Sequence, residues 1–424
     1  MAPFRLEDGG LVYKFCLNIS LVLIGIVTNC TAMEAMPGKR GNGLVIIEDN
    51  ELYQNNLSGI RIRGSMPVTI KRCRIYSNGR AGIAINRHSQ VLVTGCDVFQ
   101  NGKVGINIKE AAGVTIENNL IHKNKEAGVV IWRSWEKEIP VLEARIANNR
   151  IYSNDKTGIR TMPQHDGKVD LAIVGNEIYQ NEKAGVRVEN NTKLTAQGNN
   201  IHHNGTAGIV SYLSAIPPRL DIYQNSVRFN RGPGIHVING ITGRIGIRNN
   251  WVYNNQLSGI LCGLLTSPDV RLLDIEIINN TVVSNGSSDE GAGIRDDSKG
   301  KVIIMNNIVA YNYVTGIRAR GCQEYSYNLL FANGDVGNCC EDPDSAPYWI
   351  ERMQFAGCPE RGKGDLICDP LFVDPDNYSF YLQDESPAID AGKDIPIYKD
   401  TSLPPSKGTN RNDMGATGGP YSTM

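Results

Sequence analysis

The sequence predicts an all-β solenoid, a parallel β-helix of about twelve coils closed by a C-terminal capping segment. Three observations carry that expectation: a glycine followed by Ile or Val that recurs along most of the chain, an asparagine four residues before nearly every such glycine, and a second asparagine column five residues earlier still. The glycines are Gly59, Gly82, Gly105, Gly128, Gly158, Gly185, Gly208, Gly234, Gly259, Gly293 and Gly316. The nearer column begins Asn55, Asn78, Asn101, Asn124 and Asn154, and the farther one Asn50, Cys73, Cys96, Asn119, Asn149 and Asn176.

One coil reads apolar-x-apolar-x-x-Asn, x-apolar-x-x-Asn, then x-x-x-Gly-apolar-x-apolar, with a minimum period of 23 residues. Alternation at period two predicts strands, and three short strands separated by corners make one turn of a solenoid. Asparagine tolerates left-handed backbone at a corner, and its amide can hydrogen-bond to the same residue one coil away, so each column is expected to form a buried ladder. These asparagines are therefore read as structural. Cys73 and Cys96 stand in one column and read as small buried fillers rather than a bridge.

Composition agrees with thin aliphatic layers and many tight turns: among 424 residues there are 45 glycines and only 8 phenylalanines. The 43 Lys plus Arg nearly balance 44 Asp plus Glu. No global field draws nucleic acid or an anionic membrane, so nucleic acid is not an expected partner and any preference for a polyanion must come from local clustering. Residues 1–35 read as a leader with an extension before it, the apolar run Ser20 to Val27 being followed by cleavage candidates Ala32 and Ala35. The expected organisation is then leader 1–35, β-helix 36–340 and cap 341–424, in a secreted, periplasmic or cell-surface protein that is monomeric and not inserted in a membrane once the leader is gone. Half of the ten cysteines crowd into the last quarter, Cys322, Cys339, Cys340, Cys358 and Cys368, which suggests disulfides in an irregular end.

The repeat, from about residue 42 to 335, resembles the right-handed parallel β-helix group that includes pectate lyases, mannuronan C5-epimerases and NosD-like periplasmic proteins. The resemblance implies right-handed winding and says little about activity. The stretch from Asp369 to Gly392 together with Asn412 to Ala416 looks like the tail of many bacterial β-helix proteins, which would cover unpaired strand edges.

Insertions locate the functional face. The distance from a far-column Asn to its Gly is nine residues in all coils but one, whereas the distance from Gly to the next Asn ranges from 12 to 21, so extra residues enter after the Gly-apolar strand. There the sequence places Trp132 and Trp135, His165 and Asp166, and Tyr212. The two tryptophans fit either sugar stacking or plain cover for the coil below. The outward position two after each Gly reads Arg61, Ala84, Asn107, Val130, Arg160, Arg187, Val210, His236, Leu261, Arg295 and Arg318.

Arg160 and Arg187 should stack as like charges about 4.8 Å apart, which favours an anion between them. Two readings stay open: Glu189 as an internal counterion, or a groove for the carboxylates of a uronate polysaccharide, with Lys109, Glu189, Trp132, Trp135, Tyr212 and His236 binding substrate. His165-Asp166 resembles the last two residues of the Asp-Pro-His-Asp motif of the epimerases, whereas Pro163 and Gln164 depart from its first two. That resemblance implies His165 as general base, Asp166 as its orienting partner, and Arg160 or Arg187 as the neutraliser of the substrate carboxylate. A calcium-dependent lyase needs an acidic cluster, for which Glu110 and Glu189 offer no evident third member. Asp296 and Asp297 read as a pair of carboxylates on the same face, which a glycoside hydrolase could use. The expectation is an exported protein that binds or processes an acidic polysaccharide, the alternative being a non-catalytic NosD-like or adhesive module.

Overall fold

The computed structural model describes residues 33–35, 44–64, 67–86, 90–111, 113–133, 141–163, 167–212, 219–238, 243–263, 273–287, 291–298, 301–319, 324–334, 355–356 and 362–422. Among them there are strands and two short 3-10 turns but no α-helix. Among the described residues no helix is long and apolar enough to cross a membrane. The chain divides into two compact units, one ending at Lys193 and one beginning at Leu194.

In the first unit every coil contributes one strand to each of three parallel sheets. Sheet 1 stacks the strands that follow the repeat glycines: Ile60–Arg63, Ile83–Asn86, Ile106–Lys109, Val129–Arg133, Ile159–Pro163 and Val186–Glu189. Met33–Ala35 pairs along the edge with Ile60–Ile62, so cleavage after Ala35 would remove a paired strand and cleavage after Ala32 would leave it. Sheet 2 stacks strands such as Val68–Lys71 and Gln90–Thr94, and sheet 3 the three-residue strands such as Arg74–Tyr76 and Asp97–Phe99. The inward residues of each coil, Ile106, Ile108, Val114, Ile116 and Ile121 in one of them, are fully or almost fully buried. Aliphatic layers of this kind stabilise each coil against the next by removing apolar area from water.

The repeat glycine is required by proximity. A Cβ on Gly105 would lie 2.6 Å from the carbonyl oxygen of Gly128 and 2.8 Å from the Cγ2 of Ile121. The asparagine columns do form ladders: Asn101 Nδ2 donates to Asn124 Oδ1 at 3.0 Å and to the Ile75 carbonyl at 3.1 Å, and Asn124 Nδ2 repeats the pattern onto Asn154 at 3.0 Å. One expectation is corrected. The left-handed residue at each corner is not the ladder asparagine but the residue just before it, Gln100, Asn118, Lys123 and Asn148 having φ between 52° and 57°. The ladder residue keeps ordinary backbone and points its amide inward. Cys73 and Cys96 are buried in the column without a disulfide, and the Cys73 N–H reaches the Cys96 sulfur at 3.5 Å.

The second unit repeats this design with strands Ile209–Tyr212, Ile235–Ile238, Ile260–Cys262, Ala292–Asp296 and Thr315–Ala319 in its sheet 1. Its C-terminal segment packs on sheet 3, where Phe372, Phe380, Leu382 and Met414 join Tyr253, Val283, Ile308 and Leu329 in one buried cluster. Its contacts run along the flank of several coils: Asn249 Nδ2 donates to the Ala416 carbonyl at 3.1 Å, Asn279 Nδ2 to that of Asp413 at 2.8 Å, and the Gly415 N–H to that of Asn306 at 2.8 Å. Cys368 is half-buried, and the other four cysteines of the last quarter lie outside the described residues.

Candidate functional site

Alternation along sheet 1 of the first unit decides which side chains meet water. The positions two and four after each repeat glycine point outward, and the position two before it sits on the preceding corner. These three columns line one open groove of about 610 Å³. Its floor is the column Arg61, Ala84, Asn107, Val130, Arg160 and Arg187, in which small or neutral side chains separate arginines at the two ends. Four coil steps from Arg61 to Arg160 make a trough of roughly 19 Å at one strand spacing per step. One wall is Arg63, Asn86, Lys109, Trp132 and Met162, and the other is Arg80, Lys103, Glu126, Lys156 and Lys183.

The lining is cationic. Nine of its residues are Lys or Arg and one, Glu126, is acidic. Glu126 pairs with Lys156 at 3.4 Å. Lys109 places its ammonium 4.2 Å from the centre of the Trp132 ring and 3.9 Å from Glu110. In a cleft with low-dielectric walls such an array concentrates positive potential, although the net charge of the chain is only −1.

The structure brings several of the expected site residues to this groove. Arg160 and Arg187 are in register on neighbouring strands, as their spacing requires. The carboxylate between them is that of Glu189, whose Oε1 accepts from Arg160 Nη2 at 2.8 Å and from Arg187 Nε at 2.6 Å. The internal-counterion reading of Glu189 thus describes the resting state. Trp132 lines the groove, but Lys109 covers one face of its ring, which leaves less of the indole for a sugar. Trp135, His165 and Asp166 lie outside the described residues.

Tyr212 and His236 belong to the second unit. Tyr212 is exposed at the end of its strand. Burial pushes His236 down to about 4 against the raising effect of a hydrogen bond to the Gly263 backbone, with Arg295 adding a smaller push in the same direction as burial. Near neutrality its ring is therefore uncharged and does not supply a cation for an acidic ligand.

The paired carboxylates also need correction. Asp296 points into the core, whereas Asp297, just past the end of the strand, turns to Arg295, whose Nε donates to it at 2.6 Å, and keeps only 3% of its side-chain surface in solvent. Asp296 is fully buried opposite Cys262, one oxygen accepting from the Ser298 N–H at 2.9 Å and Oδ2 making no hydrogen bond among the described residues. Burial raises its pKa, outweighing the lowering by hydrogen bonds from Ser298, so its carboxyl group is held toward the neutral acid. The two cannot flank one glycosidic bond. Glu110 is buried beside Lys109, Glu189 is held by two guanidinium groups, and among the described residues no group of three or more His, Cys, Asp or Glu converges to hold a metal ion such as calcium.

The wall Arg80, Lys103, Lys156 and Lys183 was missed in the sequence. Its signal in the sequence is a column two residues before the glycine, from Arg80 onward, which lies on the corner ahead of the strand rather than in the strand's own alternation.

Residues 27–139 and 143–281, more than half of the chain, match the family described as the right handed beta helix region. The chain belongs to the right-handed β-helix family. Members wind parallel strands into the coil described above, which agrees with the resemblance in the repeat. No curated protein matches the sequence. Among solved structures, pectate lyase Pel9A is similar over 92% of this chain and 86% of its own at 14% identity, with a TM-score of 0.43. The A-module of the mannuronan C-5 epimerase AlgE4 of Azotobacter vinelandii is similar over 77% of this chain and 89% of its own at 13% identity, with a TM-score of 0.35. The periplasmic alginate epimerase AlgG is similar over 61% of this chain and 84% of its own at 14% identity, with a TM-score of 0.31.

Proposed function

We propose that the first unit binds an acidic, uronate-containing polysaccharide laid along the groove of sheet 1, in a protein exported through the leader at its N-terminus and acting as a monomer. The observation that carries this reading is the lining itself, nine cations to one acid over successive coils. A chain with one carboxylate per sugar meets one cationic rung per coil on the wall Arg80, Lys103, Lys156 and Lys183, interrupted only at Glu126. Nucleic acid is disfavoured because Trp132 is the single aromatic residue among the described residues of the lining and its ring is already shared with Lys109, so these residues offer bases little stacking surface.

Titration of oligouronates, neutral oligosaccharides and single-stranded DNA against the intact protein tests the proposal. Oligouronates should bind, and binding should weaken as salt rises, because exposed charges are screened over about 8 Å at physiological ionic strength. Equal affinity for neutral glycans, or preference for DNA, would overturn it.

A processing activity is the second reading, favoured by one feature of the chain path. The strand Ile159–Pro163 carries Arg160 and Met162 into the groove lining, and His165 and Asp166 follow it within three residues. His165→Ala should then leave affinity nearly intact and remove turnover, since a general base acts mainly in the transition state. Retention of turnover in that variant would exclude the assignment, and absence of turnover in the parent would leave a binding module.

A further inference from the structure

We propose that Glu189 is a built-in occupant of a carboxylate subsite formed by Arg160 and Arg187, so that the protein's own side chain closes one end of the groove against a uronate. This rests on the binding reading above and names the residue that sets how far along the groove the ligand extends.

Two guanidinium groups one coil apart repel each other unless an anion lies between them. The anion here comes from the same strand as Arg187. Oε1 of Glu189 takes Nε of Arg160 at 3.0 Å, Nη2 of Arg160 at 2.8 Å and Nε of Arg187 at 2.6 Å. That is the set of contacts a ligand carboxylate would make. Glu189 stands four residues after its glycine, in the column that earlier coils fill with Arg63, Asn86, Lys109, Trp132 and Met162; it is the one acid there in the first unit.

The backbone and the side chain of Glu189 are held very differently. Its N–H donates to Thr161 Oγ1 at 2.9 Å, its carbonyl accepts from Thr192 Oγ1 at 2.8 Å, and the two threonine hydroxyls meet at 2.9 Å, fully buried. The main chain is thereby pinned. The carboxylate is attached by three rotatable bonds; the Glu189 side chain keeps 15% of its surface in solvent, and the side chains of Arg160 and Arg187 keep 29% and 32%. Arg160 and Arg187 line the groove and Glu189 is held between them, and a partly solvated pair is held weakly enough for an equivalent anion to replace it. A uronate carboxylate is chemically equivalent to Glu189, and its neighbours on the same chain, already held by the other rungs, raise its local concentration.

The test measures affinity for uronate oligomers of increasing length in the parent and in Glu189→Gln and Glu189→Ala. For oligomers too short to reach Arg160, affinity should be unchanged. For longer ones it should rise by about tenfold, the order expected for one charge-assisted contact released from competition, and its salt dependence should steepen. The double variant E189Q/R187Q should lose the gain. If Glu189 is only a structural counterion, both single variants will melt at lower temperature with no length-dependent gain, and the inference falls while the groove reading stands. If neither the parent nor the variants bind a uronate of any length, the binding reading falls and takes this one with it.

Discussion

In the first unit the position two residues before the repeat glycine holds Leu57 in the first coil and then Arg80, Lys103, Glu126, Lys156 and Lys183; in the second it holds Thr206, Gly232, Leu257, Gly291 and Val314. The coils beneath are the same. Asn119 donates to Asn149 at 2.9 Å in one unit as Asn225 does to Asn250 at 2.9 Å in the other. Two ionisable groups of sheet 1 in the second unit are turned inward: Arg295 is nearly buried against Asp297, and His236 is kept neutral by burial. The coil therefore fixes only where a side chain points, and function depends on which outward column carries charge over several successive coils.

The sharpest way to break this comparison is to remove charge from each unit in turn. R80Q/K103Q/K183Q should reduce uronate affinity on the order of 100-fold or more, since each lost contact to a charged group is worth about 1.5 to 3 kcal/mol, while Arg318→Gln in the second unit should leave it unchanged. Isothermal titration at low salt reads both, and equal losses would show that no single unit holds the site.

Scaffold changes should instead act alike in both units. Gly105→Ala and Gly234→Ala each force a methyl group against a carbonyl oxygen, at 2.6 Å from Gly128 and 2.7 Å from Gly259, and should each cost about 1 to 3 kcal/mol by overpacking. Asn176→Leu and Asn250→Leu should cost a similar about 1 to 3 kcal/mol by leaving buried ladder partners unsatisfied. Thermal or denaturant unfolding checks these, and an unchanged midpoint for both asparagine variants would mean that the ladders add nothing to stability.

A smaller difference concerns pH. In the C-terminal segment of the second unit, burial pushes Asp400 up to about 7 and Asp413 up to about 6, against hydrogen bonds from the Gly419 and Lys407 backbones respectively that lower them. Raised carboxyl values stabilise the fold fully below the ordinary value near 3.9, and that contribution is lost as pH climbs through 6 and 7. His236 works in the opposite sense: its depressed value contributes stability above its ordinary 6.5, lost as pH falls toward about 4. Protection of the Met414 and Gly415 amides against hydrogen exchange, taken relative to the intrinsic base-catalysed rate, should fall between pH 4 and 7, and Asp400→Asn should flatten that slope. A slope unchanged in Asp400→Asn would remove Asp400 as its cause.

The smallest effect is expected at Trp132. Replacing it by Ala removes the ring under Lys109 but no charge, and affinity should fall about two- to fivefold, the scale of an exposed cation–π contact. A loss as large as that of the triple variant would make stacking, not charge, the main attraction.

The coil was legible because its demands repeat: a glycine where carbonyls crowd, an amide where a ladder runs, and an apolar residue at each inward place. The left-handed corner was misread by one residue because Gln, Lys, Ser, Asn and Gly all occupy it, so no residue type marks the column. The inward direction of Asp296 follows from strand alternation and could have been read. The docking of Phe372, Phe380 and Met414 on sheet 3 could not, since nothing periodic links residues 372–414 to Tyr253 or Ile308. The guanidinium pair was legible from spacing; the identity of its occupant turned on a side-chain torsion that spacing does not specify.

Each ladder amide in the second unit donates toward the coil that follows, as in Asn280 to Asn307 and Asn307 to Asn328, both at 3.0 Å. The row is thus a directional polymer of hydrogen bonds, and a polymer needs a terminator. Asp365 is that terminator: its Oδ1 accepts from the Asn328 N–H at 2.7 Å, and its Oδ2 from the Gly362 N–H at 2.8 Å. Where an asparagine would offer a nitrogen, Asp365 has a second oxygen that accepts, so the amide-to-amide relay ends there. Where this ladder stops is consequently written in one atom, the oxygen that Asp carries in place of the nitrogen of Asn.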